Sequence, residues 1–122
     1  KTQAQIFGHF ESVSGVFTCL SGASFYGYEV HMGKTSGGGA PLTDRGGHYA
    51  ENIAGCYVHG IFDSAAVSGA LVRALYQAKG LPCAVSVTDR RAYREQQLDR
   101  LAETVRQNLD MPAIYRILEE GV

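Results

Sequence analysis

The spacing of apolar positions changes near the middle of the chain. Up to Phe62 they gather in short β-branched and aromatic runs separated by glycine, the pattern of strands. Thr2–Phe10 alternates loosely, Val13–Leu20 is β-branched and aromatic, Phe25–Met32 is the clearest strand, and Tyr49–Phe62 is a further strand region. Within Tyr28–Met32 the period of two predicts Tyr28, Val30 and Met32 toward the core, with Glu29 and His31 turned to solvent, a partner or a cleft. Residues 34–48 have the glycine-rich composition of a loop. Beyond Asp63 the repeat becomes helical. Val67, Ala70, Leu71, Ala74, Leu75 and Ala78 make one face, with Asp63 or Ser64 as N-cap and Gly80 then Pro82 as the stop. A second helix is predicted from near Thr88–Asp89, burying Tyr93, Leu98, Leu101, Ala102, Val105 and Leu109. Asp110 and Pro112 open a short third helix through Ile114, Ile117 and Leu118, closed by Gly121.

Composition narrows the class. A chain of 122 residues with 45% apolar and 19% charged residues is expected to form one domain with its own core. A net charge of −1 provides no basic field for nucleic acid or an anionic membrane. No apolar run approaches the ~20 residues of a membrane span, and no signal-peptide pattern precedes the first strand. Three cysteines without a CxxC pair argue against a disulfide framework or a zinc site, and suit the cytoplasm. Because Lys1 leads straight into a strand pattern, the chain is expected to be an excised piece of something longer.

The chemistry-bearing stretch is Ala54–Asp63, where His59 sits near a strand end between Val58 and Gly60, with Asp63 and a helix start following. A titratable imidazole beside a glycine that admits a ligand or another backbone is one way a general base is presented; a structural histidine is the alternative. Gly33-Lys34-Thr35 has the ending of a phosphate-binding loop, but Tyr28 stands where its first glycine is required and Ser36-Gly37-Gly38-Gly39 follows where a helix should begin. His9, His31, His48 and His59 show no metal-ligand spacing, so no metal is expected. Cys19, Cys56 and Cys83 lack the flanking glycines of a strained nucleophile turn.

Gly27-Tyr28-Glu29-Val30-His31-Met32-Gly33-Lys34-Thr35, followed by Gly55-Cys56-Tyr57-Val58-His59-Gly60-Ile61-Phe62-Asp63, resembles the C-terminal end of the cobyric acid synthase family. The tail from Glu95, with Leu109-Asp110-Met111 and Ile114–Leu118, is similar to that family's ending. The resemblance implies an α/β fragment of a class I glutamine amidotransferase-like fold over residues 1–122, strands first and helices second, which in isolation takes on an α+β look. It implies His59 as the catalytic base and acid, with Glu29, His31 and Asp63 as site support. Glutamine is the implied ammonia source. ATP and magnesium belong to a separate N-terminal synthase domain that amidates a corrin substrate, adenosylcobyrinic acid a,c-diamide, in cobalamin biosynthesis; no cofactor is expected in this segment.

Two departures bear on that implication. Related amidotransferases often carry a glutamate two residues after the histidine, where this chain has Ile61; the cobyric acid type generally lacks it, so a Cys–His dyad is expected. The elbow cysteine would lie upstream of Lys1, so the chain alone is expected not to hydrolyse glutamine. Cobyrinic acid a,c-diamide synthase and the lipid II amidotransferase share the domain type and stay open, as does a non-catalytic interaction module. An exposed sheet edge makes a homodimer a further expectation.

Overall fold

The computed structural model describes residues 4–33 and 35–121. Thr2 and Gln3 of the first predicted strand, and Lys34 of the glycine-rich segment, lie outside them. The chain divides into two compact units, one ending at Arg90 and one starting at Arg91.

The first unit holds six strands: β1 (Ile6–His9), β2 (Ser24–Glu29), β3 (Ala40–Thr43), β4 (Gly46–Ala50), β5 (Ile53–Gly55) and β6 (Val58–His59). They form two three-stranded sheets, in the orders β1-β2-β6 and β3-β4-β5. Every pairing between them is antiparallel. An isolated bridge between Phe10 and Thr43 ties one sheet to the other. The helix α1 (Ala65–Ala78) packs on β2 and on two 3-10 turns, Gly15–Leu20 and Ile61–Asp63. The described chain is therefore mixed α and β.

Two predictions from the pattern give way here. Val13–Leu20 is not a strand, because Gly15–Leu20 winds into a 3-10 helix. Local hydrogen bonds outcompete a ladder: Thr18 Oγ1 donates to the Gly15 carbonyl at 2.8 Å, and Ser21 Oγ both donates to the Val13 carbonyl and accepts from its N–H. Val13 and Leu20 still reach the core from this turn. Residues 34–48 are not all loop, since β3 and the start of β4 lie within them. The glycines mark the turn of a hairpin. Gly46 and Gly47 take φ +87° and +85°, and Thr43 Oγ1 donates to the Gly46 carbonyl at 2.7 Å while accepting from Arg45 N–H.

The core is built from Phe10, Val13, Leu20, Phe25, Leu42, Val58, Ile61, Val67 and Ala70. Phe10 and Phe25 meet edge to face, 5.6 Å between centroids. The side of β2 that faces this core is the opposite of the one predicted. Phe25 and Gly27 are buried, whereas Tyr28 and Val30 are half-exposed and Met32 is wholly exposed. Phe25 fixes the parity by packing into the core, and the strand ends at Glu29, so the later alternation has no sheet to act on.

The N-terminus of α1 also departs from expectation. Ser64 is the N-cap residue but makes no side-chain cap bond, because its Oγ accepts the Tyr26 N–H from β2 at 3.0 Å. Asp89 takes over part of that task, its Oδ2 accepting from Ala65 N–H at 3.4 Å while Oδ1 accepts from the Tyr26 hydroxyl.

The second unit contains α2, which spans Arg90–Asn108, and α3 (Met111–Glu120). Asp110 caps α3 by accepting from Ala113 N–H at 3.0 Å, and Gly121 closes it at φ +79°, as the sequence predicts. The stripe predicted to be buried on α2 is not: Tyr93, Leu98, Leu101, Val105 and Leu109 all remain exposed, and α2 has no buried residue. Two helices enclose too little volume to cover an apolar stripe. Among the described residues no helix is long and apolar enough to cross a membrane.

Val67, with no exposed surface, joins α1 to the sheet. Val67→Ala is expected to destabilise the first unit by about 2 kcal/mol, read from a urea denaturation midpoint; an unchanged midpoint would contradict this account of the core.

Candidate functional site

His59 ends β6, and the backbone brings it to β2 by an unusually close approach. Tyr28 pairs with His59 and Glu29 with Val58 in antiparallel register. Gly27 is what permits this. A Cβ on it would stand 2.3 Å from the His59 carbonyl oxygen and 2.7 Å from a Val58 methyl. No side chain fits there, so the glycine before Tyr28 is a condition for docking the histidine strand. Immediately after His59 the chain turns through Gly60 at φ +79°, and the Ile61–Asp63 turn begins. Val58 and Ile61 bury themselves on either side, so the two residues between them are held between core anchors.

The His59 side chain is exposed, and its ring stacks on Tyr28 across the two strands, centroids 5.2 Å apart and planes 10° from parallel. Among the described residues no hydrogen bond reaches the His59 ring nitrogens. The imidazole is thus fixed in plane by a neighbouring face, with its nitrogens open to a ligand or another part of a protein. That arrangement suits proton transfer to or from a group that arrives from outside.

Asp63 lies close by but turns elsewhere. Its Oδ1 is 3.7 Å from Arg90 Nε, and its Oδ2 would be 3.4 Å from a Cβ placed on Gly60. Its carbonyl accepts from the Tyr26 hydroxyl at 3.1 Å. It braces the turn that follows His59.

Glu29 and His31 do come together, with a 2.8 Å bond between Glu29 Oε1 and His31 Nε2. The other ring nitrogen of His31 meets the Gly33 carbonyl at 3.0 Å. Because a carbonyl oxygen can only accept, Nδ1 is the donor in that contact. The ring also stacks on Tyr57, centroids 4.2 Å apart, and the Tyr57 hydroxyl is hydrogen-bonded to Thr35. Glu29, His31, Thr35 and Tyr57 line a cleft of about 580 Å³, together with Arg45 and His48 of the β3–β4 hairpin. A carboxylate, imidazoles, a guanidinium and hydroxyls around one space are groups that bind the ammonium, carboxylate and amide functions of a small polar molecule. His59 is not part of that lining.

Of the residues singled out from the sequence, Glu29 and His31 meet in the cleft, whereas His59 lies outside its lining and Asp63 turns to Arg90; Tyr28, Tyr57 and Arg45, not singled out, sit beside them. Tyr28 was assigned to the core by alternation. Tyr57 and Arg45 belong to segments whose partners are fixed only by tertiary folding. Cys56 also borders the cleft, half-buried, its Sγ 4.0 Å from the Val58 carbonyl. Among the described residues no group of three or more His, Cys, Asp or Glu side chains could hold a metal ion.

Comparison with known proteins bears on what such a mixed α and β segment, with His59 exposed near a polar cleft, belongs to. The chain is 35% identical to the cobyric acid synthase of Ruminiclostridium cellulolyticum over 137 residues, a match covering all of this chain and 27% of that protein. It is 31% identical to the cobyric acid synthase of Lachnoclostridium phytofermentans over 143 residues, again along its whole length. With that of Citrobacter koseri the identity is 35% over 133 residues, covering 98% of this chain and 26% of the other. The chain is homologous along its full length to a segment of the cobyric acid synthases, spanning about a quarter of the length of the curated relatives it matches. No protein-family profile matches it, and no solved structure does.

Gly27→Ala is expected to push β6 away from β2, costing about 1–3 kcal/mol. Loss of nuclear Overhauser contacts between the Tyr28 and His59 rings, with a lowered melting temperature, is the expected result; retained contacts would show that the approach is not limiting.

Proposed function

We propose that this chain is the C-terminal part of a cobyric acid synthase and forms the histidine-bearing part of its glutamine amidotransferase domain, of the class I type. The protein so completed releases ammonia from glutamine and serves cobalamin biosynthesis by ATP-dependent amidation of adenosylcobyrinic acid a,c-diamide. The observation that carries the reading is the match to cobyric acid synthases along the whole chain, joined to an exposed, plane-fixed histidine at a strand end.

In this reading a cysteine thiol, contributed by another part of the polypeptide, attacks the side-chain amide carbon of glutamine. His59 takes the thiol proton and passes it to the departing nitrogen, which leaves as ammonia while a γ-glutamyl thioester forms. His59 then draws a proton from water as its oxygen attacks the thioester, giving glutamate and restoring the thiol. Cys19, Cys56 and Cys83 lack the flanking glycines of a nucleophile turn, so the nucleophile in this reading comes from elsewhere and the segment by itself is inactive toward glutamine. Glu29 and His31 support the site by shaping the polar cleft next to the histidine strand, a fit for the charged backbone end of glutamine.

ATP and magnesium act in a separate synthase domain, with the corrin as its substrate. Residues 35–39 are not helical, and β3 begins at Ala40. Three cysteines without a CxxC pair suit a reducing, cytoplasmic compartment for the enzyme. Self-association through a sheet edge is open to gel filtration.

His59→Ala in the protein expressed from its complete reading frame is expected to lower glutamine-driven amidation at least a hundredfold, within the range of general acid–base catalysis, and to leave ammonia-driven amidation intact. Steady-state rates with each nitrogen source decide the matter. Equal loss of both would remove His59 from the glutamine half-reaction, and loss of neither would remove the assignment altogether.

A further inference from the structure

Alternation predicts Tyr28 toward the core, yet among the described residues it makes the one ring contact to His59. The two residues are register partners across β2 and β6, and their rings lie 10° from parallel with centroids 5.2 Å apart. A histidine acting as base and acid must present the same nitrogen in both steps, which requires its ring plane to be held. The resemblance to amidotransferases raises a carboxylate two residues further on as one way to hold it. Here that residue is Ile61, buried in the core at 6% exposure and unable to bond a ring nitrogen. Asp63, the nearest carboxylate in sequence, is directed at Arg90.

We infer that Tyr28 is the positioning residue of His59, setting the imidazole plane through its aromatic face in place of a hydrogen-bonded carboxylate. The inference rests on the proposed role of His59 in the glutamine half-reaction. The phenol hydroxyl is dispensable to it, since among the described residues that hydroxyl has no hydrogen-bond partner. What matters is a flat ring of aromatic size opposite His59, and the backbone provides the spacing. Gly27 brings the strands together, and Val58 and Ile61 lock the histidine strand to the core. Stacking leaves both imidazole nitrogens free, one to meet the incoming thiol and the other to meet solvent or another domain.

The test has two readouts. In the chain as it stands, the ring protons of His59 are expected upfield of those of an unstacked histidine, by the ring current of Tyr28. Tyr28→Phe keeps that shift, and Tyr28→Val, a good strand former at a half-exposed position, abolishes it. Random-coil positions for the His59 protons in the unmodified chain would overturn the inference with no variant required. In the protein expressed from its complete reading frame, Tyr28→Val is expected to lower kcat for glutamine about tenfold to a hundredfold, as misplacement of a catalytic group does, with KM for glutamine and the ammonia-driven rate little changed. Tyr28→Phe restores kcat. A Tyr28→Val protein with full glutamine-driven kcat overturns the positioning role while leaving that of His59 in place. Full activity of His59→Ala overturns the reading on which it rests, and the two failures are thereby told apart.

Discussion

Everything of functional interest depends on how closely β6 can lie against β2. That distance is set by Gly27, the one position where a Cβ would meet the His59 carbonyl oxygen at 2.3 Å. The contact is backbone to backbone, and its strength comes from what flanks it. Val58 and Ile61 are buried on one side, Phe25 on the other, and Val67 of α1 closes the layer above them. Two residues of β6 would not make a stable strand on their own. They persist because core residues on either side of His59 remove the freedom to leave. The backbone of a solvent-exposed histidine is in this way anchored by the core.

The same sheet end carries two stacked pairs, Tyr28 with His59 and Tyr57 with His31. Their surroundings differ. His31 is held through both nitrogens, by Glu29 and the Gly33 carbonyl, and belongs to a polar cleft. His59 is held only by its face. A histidine whose nitrogens are both engaged is suited to a fixed structural or binding task; one whose nitrogens are open is suited to exchanging protons with a visitor. The division of labour proposed for the two follows from that contrast.

Much of this was legible along the chain. The strand-then-helix order, the limits of the third helix with Asp110 and Gly121, and the placement of His59 at a strand end before a left-handed glycine all follow from local chemistry: side-chain capping, glycine's access to positive φ, and the grouping of β-branched residues. Where local chemistry offered two answers, the reading went astray. Val13–Leu20 has strand composition, but Thr18 and Ser21 satisfy its backbone locally and wind it into a 3-10 turn. Glycines near residue 46 read as loop because a hairpin turn and a loop have the same composition. The α2 stripe read as buried because amphipathic spacing records a preference for a covering surface and not its presence.

The sequence by itself determined which residues are able to act. It placed an imidazole beside a glycine, a Glu-x-His pair, and enough of two motifs to resemble a family, to segments of whose members the whole chain is similar. Only the tertiary structure decided which of them meet. Face and register depend on where Phe25 packs, a long-range event that period-two alternation cannot see, and so Tyr28 passed from the core to the side of His59. Cross-strand partners 31 positions apart in sequence are chosen by the core beneath them, because the burial of Val58 and Phe25 carries more free energy than any preference of the exposed rings themselves.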